Sequence, residues 1–408
     1  MNPNEANFDP SRRSLLTTGV VTSAAAVAGN LFLQQSVVAQ ENPAAQVVDR
    51  AADLKIKSLR AFPCGPKVYV KIETNHGITG WGEIDQLQPQ VAALLAESLF
   101  ELLDGENPTR IEYLWQKLYR SHRDMRGGPF MVHTISGIDM ALWDIAGKVW
   151  GVPVYRLLGG PVRDKIRIYP SPSATKVGAG PAEGSGNPND IKGYVQQIEH
   201  ARANVGPEGI VIFDAHCALP PPFLIQLAGA IQAYDIMFIE EVAVPGNISV
   251  FRRLKEAITI PLATGERDRT IWEFIPYLEH RCLDVLQPDC AHTGGITQMI
   301  KIATLAEAFM TPIAPHAVTS NLGMAASFHA TAATPLFIIH EYYQNVMPDD
   351  LMTKSWTVDE AGYVSLPQGP GLGVEVHEQA IVDYAKNGKQ EWRWPTRGVL
   401  KDGSISDY

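Results

Sequence analysis

The sequence lacks the features that mark nucleic-acid-binding, zinc-binding and disulfide-rich proteins. Its 408 residues carry a formal net charge of -10 and contain no dense run of Lys and Arg, whereas phosphate binding needs clustered cations. The four cysteines show neither a CxxC pair nor a Cys/His zinc spacing, so we predict buried free thiols. A nucleic-acid partner, a thiolate metal site and a disulfide framework are therefore not expected.

Long hydrophobic runs are also missing, and the apolar stretch near the N-terminus is short for a membrane span. It covers residues 17–33, is interrupted by polar residues, and follows Arg12 and Arg13. Small residues at 37–39 then resemble a signal-peptide cleavage site. We predict that residues 1–40 are a twin-arginine signal for export to the periplasm, with an anchoring helix as the alternative. No stable membrane anchor is expected.

What is present is the composition of an ordinary folded protein, with 45% hydrophobic and 19% charged residues. Alternating apolar residues at 68–72 predict a strand within an antiparallel meander. Helical periodicity follows over residues 90–103, 109–119 and 134–150. We therefore predict an N-terminal α+β domain over residues 53–164.

Beyond residue 164, short apolar runs alternate with helical segments, which is typical of parallel βα units. Eight strand candidates lie at residues 166–169, 175–177, 210–213, 237–239, 262–264, 285–287, 313–315 and 337–339. Eight candidates predict a (β/α)8 barrel over residues 165–350. No βα units follow residue 364, and a Gly- and Pro-rich loop at 367–373 indicates that the C-terminal segment, residues 351–408, returns to another part of the protein.

The first βα unit is shortened in the sequence. Only a few residues separate Pro170 from the next strand candidate, whereas a parallel crossover needs a dozen or more residues and usually a helix. Either the barrel is irregular at this point or one of the two strands is misassigned. Whether Lys176 reaches the active site is therefore left open.

Ionisable residues follow the strand candidates at a regular interval. Asp214, Glu240, Glu266, Asp289, His316 and Glu341 succeed one another every 23 to 27 residues, which is the length of one βα unit. The C-terminal ends of barrel strands converge on one rim, so these side chains are expected to face a common pocket. Any one of them alone could be an ordinary solvated residue, but the regular spacing makes a shared site the better interpretation.

Three of these carboxylates predict a metal site. Asp214, Glu240 and Glu266 follow neighbouring strands and offer hard oxygen ligands of the kind that Mg²⁺ prefers. Without a cation the three charges would repel one another. We therefore predict Mg²⁺ as the cofactor and these residues as its ligands.

The next two residues predict a general base. Asp289 and His316 follow adjacent strands, so the carboxylate can hold the imidazole in one tautomer and raise its basicity. His216 comes two residues after Asp214 and would lie on the same side if the strand alternation persists. It is a candidate acid for a leaving hydroxyl, with a loop histidine of no catalytic role as the alternative.

Several motifs together resemble the enolase superfamily and, within it, the galactonate dehydratase-like members of the mandelate racemase/muconate lactonizing enzyme branch. They are GIDMALWDIAGK at 137–148, LLGG at 157–160, FIEE at 238–241, GER at 265–267, QPD at 287–289 and GGI at 294–296. One departure is Val242, where the family has proline after the Glu pair.

The resemblance implies an N-terminal capping domain, to which residues 351–408 return, over a modified (β/α)8 barrel. It further implies Mg²⁺ on Asp214, Glu240 and Glu266 and a base formed by Asp289 and His316. It also implies that Glu341 hydrogen-bonds the substrate carboxylate or enediolate, and that His216 is the acid found in the dehydratases. Racemases of the family use a second base, a lysine on the second strand, instead.

We therefore expect a hydro-lyase that removes the proton next to the carboxylate of a sugar acid and eliminates water to give a 2-keto-3-deoxy acid. A metal-stabilised enediolate explains how a histidine can remove so weakly acidic a proton. The alternatives are a racemase or epimerase that uses the same enediolate, and a barrel that binds sugar acids without catalysis. The partner is a small-molecule sugar acid, and a homo-oligomer of unknown size is expected.

Overall fold

The computed structural model describes residues 51–121, 123–179, 190–353 and 356–387. The predicted signal at residues 1–40 lies outside these residues and stays a prediction. Within the described residues, no helix is long and apolar enough to cross a membrane. All four cysteines are free and buried, as the sequence predicted.

The described chain begins with a three-stranded antiparallel meander followed by helices. The strands are β1 (Ile56–Cys64), β2 (Lys67–Thr74) and β3 (Thr79–Ile84). The helices are α1 (Pro89–Ser98), α2 (Ile111–Ser121), α3 (Pro129–Trp150) and the short α4 (Val154–Leu157), with 3₁₀ turns at Leu99–Leu102 and Arg123–Met125. The sequence had predicted the meander and the three longer helices.

Helix α3 lies unusually close to strand β3 because glycines face each other between them. A Cβ atom added to Gly82 would lie 1.9 Å from the carbonyl oxygen of Gly137, and one added to Gly80 would lie 2.1 Å from that of Ala141. The helix begins with Pro129, whose ring favours the first helical turn, and ends at Gly151 in the left-handed conformation. These glycine and proline positions therefore fix how α3 begins, ends and packs.

Seven parallel strands form most of the ring that follows. They are β4 (Lys165–Tyr169), β5 (Ala174–Gly178), β6 (Ile210–Asp214), β7 (Ile236–Glu240), β8 (Leu262–Thr264), β9 (Val285–Leu286) and β10 (His340–Glu341). Strands β5 to β9 are neighbours in sequence order, and β10 pairs with β4. Single bridges at Ile313, His316 and Phe337 continue the ring between β9 and β10. The ring has eight positions, which confirms the predicted barrel.

One buried side chain from each of the eight positions fills the inside of the ring. They are Tyr169, Ala174, Ile212, Phe238, Ala263, Val285, Ala314 and Ile339. The outer helices are α5 (Ile191–Val205), α6 (Pro221–Ile231), α7 (Ile248–Ala257), α8 (Thr270–Glu279), α9 (Gly295–Ala308) and α10 (Asn321–Ala333). The side chains inside a barrel form a packed core, so the open space for a ligand lies at the strand ends.

The shortened first βα unit is confirmed. Residues 170–173 join β4 to β5 without a helix, and Ser171 and Ala174 form an antiparallel bridge across this connection. Both strands belong to the ring, because β4 pairs with β10 and β5 pairs with β6. The irregular barrel was therefore the right alternative, and neither strand was misassigned.

Two predicted strands differ from those observed. The predicted strand at 313–315 forms no ladder among the described residues, and this part of the chain contributes only single bridges at Ile313 and His316. The eighth strand is His340–Glu341 instead of 337–339. The sequence could not locate the ends of these two strands, because both segments are uniformly apolar and show no alternation of apolar and polar residues.

The C-terminal part of the described chain contacts both the barrel and the N-terminal α+β part. Strand β11 (Tyr363–Ser365) pairs antiparallel with β4, and helix α11 (Glu378–Asn387) contacts β1. Lys71 of the meander forms an ion pair with Glu378 at 2.7 Å. The predicted boundaries of the domains at residues 53–164, 165–350 and 351–408 stay predictions.

Candidate active site

The charged residues that the sequence placed at strand ends lie around one cavity. Asp214, Glu240 and Glu341 are the last residues of β6, β7 and β10, while Glu266 follows β8 by two residues. The cavity measures about 640 Å³ and is lined by Lys176, Gly178, Asp214, His216, Glu266, His316, Val318, Glu341, Tyr343 and Val346. Five of the seven predicted site residues are therefore on its wall.

The other two predicted residues lie directly behind that wall. Glu240 is fully buried and is reached by Lys176 at 3.4 Å and by the Tyr169 hydroxyl at 3.5 Å. Asp289 is 1% exposed and contacts His316. The structure thus brings all seven predicted residues together.

Asp289 and His316 form a close pair. Nδ1 of His316 lies 2.6 Å from Oδ2 of Asp289, and the two residues are bridged between neighbouring ring positions. A neutral imidazole that donates from Nδ1 keeps its lone pair on Nε2. That Nε2 lies 3.6 Å from Glu266 and 3.4 Å from Glu341, the residues lining the cavity. The pair can therefore present a base to a bound molecule.

The charges around His316 make its ring more basic. Burial disfavours the charged imidazolium, but the carboxylates of Glu266, Glu341 and Asp289 together raise the pKa of His316 well above its ordinary value. For Asp289, burial favours the neutral acid, but His316 and His292 hold its pKa below the usual range. Asp289 therefore stays ionised beside the histidine that it orients.

His216 faces the same cavity in a different hydrogen-bonded state. Its Nε2 lies 2.8 Å from Oδ2 of Asp214, and its Nδ1 donates to the carbonyl oxygen of Ala179 at 2.8 Å. Both ring nitrogens therefore face acceptors, which favours the doubly protonated ring. Burial opposes that charge, but Asp214 and the Ala179 carbonyl raise the pKa of His216 to about 9. The ring can hold a proton ready for transfer.

The condition set for His216 from sequence, that the strand alternation continues past Asp214, is not met, although the two side chains lie together. Strand alternation does not continue to His216, because β6 ends at Asp214 and His216 has a positive φ of 46°. This turn lets the backbone N–H of His216 donate to Oδ1 of Asp214 at 2.9 Å. The left-handed turn, rather than the strand, brings the ring back onto the carboxylate.

Lys176, which sequence reasoning left open, reaches the site. Its ammonium lies 3.0 Å from Asp214, 3.4 Å from Glu240 and 2.6 Å from Glu341. The residue pairs with Ile212, whose side chain is inside the ring, so Lys176 also points inward and extends up to the rim. Burial acts against its charge, but the three carboxylates raise the pKa of Lys176 well above normal.

The predicted metal ligands offer a donor set that fits Mg²⁺. Asp214 and Glu240 are fully buried, and Glu266 lies on the cavity wall. Burial, with the like charges of Asp214 and Glu341 opposing Lys176, raises the pKa of Glu240 to about 8. Burial, with Glu241 and Asp214 opposing His316, raises the pKa of Glu266 to about 7. A divalent cation would relieve this repulsion through hard oxygen ligands.

A second set of possible ligands lies beside the base pair. Within the described residues, three metal-ligating side chains with ligand atoms inside 4.8 Å of one another occur at Asp289, His292 and His316. The predicted carboxylates do not approach one another this closely. Two imidazoles suit softer ions than Mg²⁺, so this set does not replace the predicted one.

Two family models match the chain. The mandelate racemase/muconate lactonizing enzyme N-terminal domain matches residues 35–159, and the enolase C-terminal domain-like model matches residues 172–380. Together they cover the meander, the helices after it and most of the barrel.

Similar proteins match over most of their length. A D-galactonate dehydratase from Ralstonia pickettii (strain 12J) is 32% identical over 385 residues, covering 87% of this chain and 100% of the relative. A D-galactonate dehydratase family member from Streptomyces bingchenggensis (strain BCW-1) is 34% identical over 394 residues, covering 84% and 94%. An enolase from Agrobacterium radiobacter, solved with Na and L-malate bound, superposes with a TM-score of 0.77 at 31% identity, covering 86% and 99%.

Proposed function

The chain belongs to the mandelate racemase/muconate lactonizing enzyme family of the enolase superfamily and is an enzyme of the dehydratase class, and from this we propose that it dehydrates a sugar acid with Mg²⁺ as cofactor. The observation that carries the proposal is the pair of histidines at one cavity. His316 can accept a proton at Nε2, and His216 can donate one.

The reaction follows from these two residues. His316, oriented by Asp289, removes the proton next to the substrate carboxylate. His216 then gives its proton to the hydroxyl on the neighbouring carbon, which leaves as water and generates an enol. The enol tautomerises to a 2-keto-3-deoxy acid. The proton that His316 takes and the proton that His216 gives balance in the elimination, and exchange with solvent completes the tautomerisation and returns both rings to their starting states.

Mg²⁺ would be held by Asp214, Glu240 and Glu266. When bound, it would supply Lewis-acid stabilisation of the negative charge that develops on the substrate carboxylate. Glu341, which accepts from the backbone N–H of Ala317 at 3.1 Å, is placed to hydrogen-bond the substrate beside His316. This role for Glu341 also follows from the resemblance to the family.

A racemase or epimerase is the second candidate, because Lys176 reaches the cavity from the second strand of the barrel. A racemase needs a second base, whereas the second imidazole at the cavity, His216, is hydrogen-bonded as a proton donor. This donor, together with the D-galactonate dehydratase relatives, supports the dehydratase over the racemase.

The first prediction tests the reaction class. Purified protein with Mg²⁺, assayed against aldonic and aldaric acids, is expected to form a 2-keto-3-deoxy acid from at least one of them. The activity should be lost on chelation and restored by added Mg²⁺. Inversion of the carbon next to the carboxylate without release of water would establish the racemase instead. Failure with every acid in the panel would contradict the sugar-acid proposal.

A further inference from the structure

A buried lysine from the meander touches the loop that carries the base. Lys67, the first residue of β2, is 3% exposed, and its ammonium donates to the carbonyl oxygen of Val318 at 2.6 Å. It also forms an ion pair with Asp85 and lies 3.7 Å from Glu83. Val318 is two residues after His316 and lines the same cavity. The meander therefore contacts the chain next to the base.

Glu83 holds the other end of the same loop. Its carboxylate accepts from the backbone N–H of Ser320 at 3.0 Å and from that of Gly323 at 3.2 Å, and from the Ser320 hydroxyl. These donors belong to the first turn of helix α10, where free N–H groups favour a negative charge. The segment from His316 to Gly323 is thus fixed at two points by side chains of the meander.

Asp85, the partner of Lys67, extends these contacts to a second barrel loop. Its backbone carbonyl accepts from Nδ1 of His133 at 3.0 Å, and the His133 ring stacks on that of His292 with centroids 4.4 Å apart. Nδ1 of His292 then donates to the carbonyl oxygen of Glu266 at 2.8 Å. The cluster around Lys67 therefore reaches the loops of both His316 and Glu266.

The cost of burying this cluster argues for a role beyond stability. Lys67, Glu83 and Asp85 are each at most 3% exposed, and removing paired charges from water costs about as much as their attraction returns. Apolar residues of similar size would stabilise the fold equally well. The charged cluster differs from apolar residues in its directional hydrogen bonds, because the Lys67 ammonium holds the Val318 carbonyl oxygen at one position.

We propose that Lys67 is a positioning residue that holds His316 in register with Asp289 by fixing the carbonyl of Val318. The inference rests on the proposed role of His316 as the base. Lys67 does not line the cavity and does not act on the substrate itself. Lys67 acts only on the position of the His316 imidazole relative to Asp289.

Lys67→Met tests this, with Lys148→Met as the matched control. Lys148 also pairs with a carboxylate and a carbonyl, at 2.6 Å to Asp144 and 2.8 Å to Thr79, but away from the cavity. We expect Lys67→Met to lower kcat on the order of 10- to 100-fold, since small misplacement of a reacting group has effects of this size. KM and the Kd for Mg²⁺ should change less than about threefold.

The control variant should lose thermal stability yet keep kcat per folded molecule. Equal losses of kcat in both variants, or an unchanged kcat in Lys67→Met, would overturn the proposal. If Lys67→Met does not fold, Lys67→Arg takes its place, because a planar guanidinium cannot reproduce the contacts of a compact ammonium. An unchanged kcat in Lys67→Arg would then overturn it.

A measurement without substrate separates this inference from the proposed reaction. In protein labelled with ¹⁵N-histidine, the ring signals of His316 are identified by their loss in His316→Asn. We expect them to shift in Lys67→Met and to stay in place in Lys148→Met. If the wild-type protein turns over no sugar acid, the proposed function fails while these signals still decide the role of Lys67. Unshifted signals would show that Lys67 does not position the ring.

Discussion

Two histidines approach the cavity with different hydrogen-bond partners. Nδ1 of His316 donates to Asp289 and its Nε2 faces the cavity, whereas His216 donates from both ring nitrogens. In His316→Asn we expect exchange of the alpha proton with solvent deuterium to stop, because no base remains.

In His216→Asn we expect exchange to continue while product formation falls by about 10²- to 10⁴-fold, the usual contribution of a general acid.

The two variants together separate removal of the proton from elimination. Exchange is followed by mass spectrometry in D₂O, and the 2-keto-3-deoxy product by a colorimetric assay. Exchange at the wild-type rate in His316→Asn would remove His316 as the base. Unimpaired dehydration in His216→Asn would leave the reaction class in place and require another acid, such as His316 acting on both protons.

At the residue scale, the sequence identified the acids and histidines at the strand ends because their spacing equals the length of a βα unit. It did not settle Lys176, which lies two residues inside its strand and reaches the rim only through a long side chain. It missed Lys67 and Glu83 entirely. They contact Val318 and Ser320, which lie 251 and 237 positions further along the chain, and no local pattern marks such a contact.

At the scale of elements, the barrel strands were predictable because each apolar run is bounded by helical periodicity. The shortened connection between β4 and β5 was visible in the sequence as a gap too short for a helix. Whether both strands belong to the barrel could not be read from that gap. Only the pairing of β4 with β10 and of β5 with β6 shows that both strands belong to the ring. Such long-range pairing depends on the rest of the barrel, not on residues 170–173 themselves.

The contact between β3 and α3 depends on glycine, and this gives a prediction about stability. A methyl group at Gly82 would lie 1.9 Å from the Gly137 carbonyl, so strand and helix would have to separate. We expect Gly82→Ala to lower the free energy of unfolding by about 3 kcal/mol, the upper end of overpacking effects. Urea denaturation followed by circular dichroism measures the change.

Gly229 in helix α6 provides the control for that substitution. A Cβ atom there meets no heavy atom within 4 Å, and the residue is exposed. Gly229→Ala should therefore be neutral or stabilise the protein by up to about 1 kcal/mol through helix propensity. A loss of stability in Gly82→Ala no larger than that in Gly229→Ala would mean that the strand and helix are not in close contact.

At the scale of the whole molecule, several buried histidines are held neutral. Burial lowers the pKa of His133 to about 3 and those of His329 and His340 to about 4. These rings lie in different parts of the fold, on helices α3 and α10 and strand β10. Each of these rings stays neutral in the folded protein at pH values where the same histidine is protonated in the unfolded chain.

The final prediction concerns the acid stability that follows. An unfolded histidine has a pKa of about 6.5, so below that pH the unfolded state binds protons that the folded state does not. Stability is therefore complete above about pH 6.5 and is lost as the pH falls toward 4, with a slope of up to about 1.4 kcal/mol per pH unit for each such histidine.

His329 is the residue on which this can be isolated. Its Nδ1 accepts from the backbone N–H of Tyr155 at 3.2 Å, and its Nε2 donates to the carbonyl oxygen of Leu372 at 3.1 Å, so protonation would break the first contact. His329→Gln should be less stable at pH 7.5 but should lose about 1 kcal/mol less between pH 6 and pH 5 than the wild type. Denaturation curves at these pH values measure it, with exposed His200→Gln as control. His200→Gln should show the pH dependence of the wild type. If the stability of His329→Gln also falls with pH as steeply as that of the wild type, the neutral state of His329 does not contribute to acid sensitivity.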